Sequence, residues 1–69
     1  MNRQELDEYT ISNVDRMLFG LVGSYDMVDK WWESENKAFE MRTPMEVWNN
    51  DQDGPERVYR YVGSFCYGR

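Results

Sequence analysis

The sequence has no histidine and a single cysteine, Cys66. One cysteine excludes an intramolecular disulfide. Without histidine there is no zinc-type ligand cluster and no base of the usual kind to activate a thiolate. No apolar run approaches the length of a membrane-spanning helix, and the amino-terminal MNRQELDEY has no signal-peptide core. The expectation is a cytoplasmic protein without a membrane partner. A Gly-rich phosphate loop is missing too, since Gly20-Leu21-Val22-Gly23 lacks the lysine and the preceding strand of a P-loop. Basic residues are scarce, 8 against 13 acidic, for a net charge of −5. Nucleic-acid binding needs a basic face to displace counterions, so none is expected. Mimicry of nucleic acid, or a basic protein partner, stays open. These absences leave no cofactor site, no metal site and no catalytic residue to name, and the chain is not expected to be an enzyme.

What the chain has is aromatic surface: 16% of its 69 residues, including three tryptophans. A chain this short makes one domain and buries only roughly 60% of the surface its unfolded form exposes. Chains of this size usually need a staple or a partner, and large aromatic side chains supply much of the available apolar area.

Residues 1–10 are polar and acidic, with Leu6 and Tyr9 as apolar anchors. They read as a loose extension of the first helix or a separate short turn. Ile11, Val14, Leu18 and Leu21 then share a helical face, widened by Met17. Ser12 and Asp15 form a capping-box signal, and Gly20 and Gly23 mark the end. Ser24 caps a second helix, on which Tyr25, Val28 and Trp32 share a face while Trp31 points about 100° away. Residues 33–42 read as a connection, with Asn36 making a local turn and Phe39 as its core anchor. Thr43-Pro44-Met45-Glu46 is a capping box with proline at the first helical position. Met45 and Trp48 form the buried face of that short helix, with Val47 beside them. Asp53-Gly54-Pro55 starts the last helix, whose inner stripe is Val58, Val62 and Phe65, flanked by Tyr61, and Gly68 ends it. The spacing predicts an all-α, single-domain bundle of about four short helices near 12–22, 25–33, 44–49 and 55–66, with Trp32, Trp48 and Val62 in one core.

Few patterns here carry chemistry. Asn49, Asp51, Asp53 and Gly54 match the early positions of an EF-hand loop, but the twelfth position is Arg60 where a bidentate glutamate belongs, and Pro55 follows the glycine. The segment reads as a polar connection. Cys66 reads as a small buried apolar residue. The acidic residues are spread along solvent faces rather than paired for acid–base work. Tyr59, Tyr61 and Tyr67 interleave with Arg57, Arg60 and Arg69. That is either an interface composition or a helix with snorkelling arginines and half-buried tyrosines.

The ordered set Trp32, Asn36, Phe39, Thr43-Pro44, Met45-Glu46-Val47-Trp48, Asp53-Gly54, Val58, Val62, Gly63, Phe65 and Tyr67-Gly68 resembles the toxin-binding domain of the MbcA/ParS/Xre antitoxin family. The resemblance covers residues 17–69. Glu35 departs from the family pattern by replacing a turn proline, Glu40 and Met41 by standing where a glycine pair is usual, and Ser64 by standing where arginine is common. Members usually carry a helix-turn-helix domain as well, and this chain resembles the toxin-binding module alone. The resemblance implies a protein-binding antitoxin whose final helix and carboxyl terminus occlude the active site of a RES-type, NAD-consuming toxin. The partner-binding residues expected from this and from the outer faces of the last helix are Arg57, Arg60, Tyr61, Ser64, Tyr67, Gly68 and Arg69. Two alternatives stand beside it: a phage or mobile-element inhibitor that uses the same module against a different host protein, and a self-associating assembly protein, such as a homodimer.

Overall fold

Thr10, not Ser12, starts the first helix. Its backbone is extended and its side chain accepts from the Asn13 N–H at 3.1 Å, which satisfies one of the donors a helix start leaves open. Asp15 is engaged elsewhere, accepting from Trp32 Nε1 at 2.6 Å. The computed structural model describes residues 9–67; Leu6, Gly68 and Arg69 lie outside them. Helix α1 is Ile11–Val22 and α2 is Tyr25–Glu33. A short 3-10 turn follows at Lys37–Phe39, then α3 at Pro44–Asn50 and α4 at Gly54–Tyr67. The fold is all-α, and among the described residues the sole β-type pairing is an isolated bridge between Asn36 and Arg42.

The caps follow from the local sequence. Gly23 closes α1 in the left-handed region, φ 83°, donating its N–H to Phe19 O at 2.8 Å. Ser24 then caps α2 by accepting from the Met27 N–H. Thr43 and Glu46 make both bonds of the capping box at 3.1 Å, with Pro44 at the first helical position. α4 begins at Gly54, where the chain turns back against the end of α3. A Cβ built at Gly54 would meet Val47 O at 2.0 Å, so this approach requires glycine.

Val14, Leu18, Val28, Trp32, Phe39, Val47, Val58 and Val62 form one buried cluster. α4 packs on α1 and on α3, α2 packs on α1 and α3, and the first helix is thereby closed against the last. Among the described residues no helix is long and apolar enough to cross a membrane.

Core assignments on each of the four helices need correction. On α3 the buried pair is Pro44 and Val47, three apart, so Met45 and Trp48 lie half-buried at the margin of the cluster. Trp48 keeps contact with the core through its ring, edge-on to Trp32 at 5.6 Å. On α1, Ile11 and Leu21 are exposed because only the centre of the stripe is covered, and Tyr25 is exposed at the first turn of α2. On α4 the buried positions Gly54, Val58 and Val62 step by four, and four-residue steps drift around a helix of 3.6 residues per turn. The stripe therefore continues through Gly63, buried, toward Cys66 and leaves Phe65 58% exposed.

Candidate protein-binding surface

Arg57 was expected on the outer face and is committed inward. Its guanidinium donates to Ala38 O at 2.9 Å and to Glu40 Oε2 at 2.7 Å, and lies 5.2 Å from the centre of the Phe39 ring. The Glu40 carboxylate, hydrogen-bonded to it, holds Arg57 above its usual pKa, and Arg57 in return holds Glu40 below the usual carboxylate value. One side chain thus ties α4 to the whole 36–42 turn.

That turn is built from local bonds. Asn36 Oδ1 accepts from the Ala38 N–H at 2.9 Å, and Asn36 O accepts from the N–H groups of Phe39 and Met41. The result forces two successive non-glycine residues into the left-handed region, Glu40 at φ 58° and Met41 at φ 67°. Arg42 braces the far side with two bonds to the Asp51 carboxylate, 2.8 and 3.1 Å, which depress the Asp51 pKa. Asp51 belongs to the EF-hand-like run, and here its charge is matched by arginine. Among the described residues no group of three or more His, Cys, Asp and Glu is placed to hold a metal ion.

Arg60 is the exposed cation of α4, its side chain 70% accessible and paired with Glu56 one turn back at 2.9 Å. The Glu56 charge is the main cause of its raised pKa, followed by the Tyr9 hydroxyl. An exposed pair of this kind adds little stability, so Arg60 is available to a partner. Tyr61 is half-buried in an aromatic cluster: stacked on Trp31 at 6.5 Å, edge-on to Phe39 at 5.2 Å and edge-on to Phe65 at 5.1 Å. Trp31, which the spacing aimed at a second surface, joins α2 to α4 in this way. Ser64 is exposed, and its hydroxyl donates back to Tyr61 O at 2.7 Å. Tyr67 is the last helical residue.

Of the seven partner-binding residues expected from sequence, the structure keeps Arg60, Ser64 and the edge of Tyr61 on one outward face and removes Arg57 from it. Sequence reasoning missed Trp31 and Phe65 as members of that face. Their signal was present: Tyr61 and Phe65 are four apart on α4, as neighbouring side chains on one helix face must be.

Two other features are less equipped for chemistry. An open cleft of about 370 Å³ between α1 and α4 is lined by Asn13, Arg16, Met17 and Tyr59, with Arg16 donating to Asn13 Oδ1 at 3.1 Å. Cys66, expected in the core, is exposed. It sits at the edge of the α1–α4 contact, where its Sγ donates weakly to Met17 O at 3.7 Å. No family model, no curated protein and no solved structure matches this chain with significance.

Proposed function

We propose that this chain is a cytoplasmic protein-binding inhibitor of the antitoxin type, which blocks a RES-type, NAD-consuming enzyme by laying α4 and the carboxyl terminus over its active site. The observation that carries the reading is the 36–42 turn. Glu40 and Met41 stand where the MbcA/ParS/Xre pattern has two glycines, and both hold the positive φ that glycine adopts without penalty. The departure in sequence is therefore no departure in backbone shape. Gly54, required by its approach to Val47, and Asn36, which closes the turn, support the same resemblance.

The inhibitor does no chemistry in this scheme. Exposed Arg60 and the Trp31–Tyr61–Phe65 face would supply a compact anchor of the kind that dominates interfaces, and the bulk of the domain would exclude substrate. Co-expression with a RES-type enzyme should give a stable complex and suppress NAD consumption. Arg60→Glu, and separately deletion of residues 67–69, should weaken that complex by about 2–4 kcal/mol with far-UV circular dichroism unchanged. Unimpeded NAD consumption in the presence of the folded chain would refute the choice of target.

Ser64 favours a second reading. Its hydroxyl turns back to its own helix, at a position where the family pattern commonly has a cation. An inhibitor from a phage or mobile element, aimed at a different host protein, fits that change. Co-purification from the native host would then return a protein unrelated to RES-type enzymes.

A further inference from the structure

Tyr9 fixes where the chain enters the fold. Its ring packs edge-on against Tyr59, ring centres 5.1 Å apart, and its hydroxyl is hydrogen-bonded with the Arg60 side chain. Thr10 then caps α1 by accepting from the Asn13 N–H. Tyr59 and Asn13 both line the cleft of about 370 Å³ between α1 and α4, together with Arg16 and Met17. The amino-terminal residues therefore join the domain at the mouth of this cleft.

The cleft has an apolar floor and a charged rim. Met17 and Tyr59 are half-buried and pack against the core cluster. Arg16 is exposed and donates to Asn13 Oδ1 across one turn of α1. Tyr59 and Tyr61, two apart on α4, point about 200° from each other around the helix. The cleft therefore lies on the opposite side of α4 from the Trp31–Tyr61 stack.

We propose that the occupant of this cleft is the chain's own amino-terminal segment, residues 1–8, with Leu6 seated on Met17 and Tyr59 and the acidic side chains beside Arg16. Reach, charge and tethering each select it. Leu6 is three residues before Tyr9, a span of up to about 10 Å in an extended chain. Met17 is seven residues after Thr10, about 10 Å along the axis of α1. A segment turned back along α1 thus brings Leu6 level with Met17. The segment carries Glu5, Asp7 and Glu8 against the single basic Arg3, a net sign opposite to that of Arg16. A basic partner would meet Arg16 as a like charge. Any separate molecule must also compete with a segment held beside the cleft by Tyr9, at the high effective concentration a short tether gives. The proposal stands independently of the inhibitor reading and leaves the Trp31–Tyr61–Phe65 face uncovered.

Nuclear Overhauser spectroscopy on the full chain, with methyl groups labelled, tests it. The expected result is cross-peaks from the Leu6 methyls to the Met17 methyl and the Tyr59 ring. A double-mutant cycle on Leu6→Ala and Met17→Ala, read by urea unfolding, should show a coupling of at least about twofold in the folding constant. The same cycle on Leu6→Ala and Met27→Ala should be additive, since Met27 is exposed on α2. A Leu6 that shows cross-peaks only to its neighbours in sequence overturns the proposal. So does additivity of Leu6→Ala with Met17→Ala. Cross-peaks found only between differently labelled chains in a mixed sample would assign the cleft to the segment of a second copy, and would overturn it as well.

Discussion

Met41 shows how a single backbone angle can oppose the rest of a fold. Its φ of 67° costs a non-glycine residue of order 1–3 kcal/mol, and its side chain is exposed and offers little burial in return. Met41→Gly should therefore raise stability by about 1 kcal/mol, after the extra entropy glycine gives the unfolded chain. Urea unfolding would measure it, and a loss of stability would mean that the Met41 side chain supports the turn. Gly54 is the opposite case. Gly54→Ala would push a methyl into Val47 O, and the helices must separate, at about 2–3 kcal/mol. The two tryptophans also differ. Trp32 is 4% exposed and donates to Asp15, so Trp32→Ala should cost about 3–5 kcal/mol. Trp48→Ala at the margin should cost clearly less in the same assay. Neither the Glu40-Met41 pair nor the depth of Trp48 announces itself in the amino-acid letters. The first is imposed by the Asn36 hydrogen bonds, and the second by whether Val47 or Trp48 wins the inward position.

At the scale of elements, the helices were legible because their ends are written locally. Thr43-Pro44-Met45-Glu46 needs no tertiary context to cap α3, and Gly23 and Ser24 break α1 from α2 on their own. Faces were less legible, because they depend on how far a stripe drifts before its partner helix ends. Phe65 falls three residues after Val62 and should have pointed inward, yet the four-residue step of the buried positions turned it out. Arg57 was unreadable as a clamp, since its partners lie at Ala38 and Glu40, 17–19 positions away. The two arginine braces of the 36–42 turn carry a pH dependence. Glu40 and Asp51 both have folded pKa values below their ordinary 4.5 and 3.8. Such groups add stability that is present above the unfolded pKa and lost as pH falls through the folded one. Unfolding midpoints should thus hold from neutral pH to about pH 5 and decline below about pH 4, and Asp51→Asn should flatten part of that decline. A midpoint indifferent to acid would show that the braces are spent on solvent.

For the whole molecule, class and size are legible in the sequence, while the candidate surface depends on where α2 and α4 meet, at Trp31 and Tyr61. That meeting comes from pairing the first helix with the last. Val58 and Val62, supplied by α4, complete a cluster whose other members are Val14 and Leu18 of α1, Val28 and Trp32 of α2, Phe39 of the 3-10 turn and Val47 of α3. Without α4 the apolar stripes of α1 and α2 lose the surface that covers them, so a chain lacking it should have no stable core. A fragment ending at Asn50 should show little cooperative melting, and the α4 peptide added in trans should restore it. If the fragment folds alone, α1 and α2 form an autonomous hairpin. If it does not, α4 is the keystone of the domain, and any lesion that frees it should leave the other helices open to proteolysis.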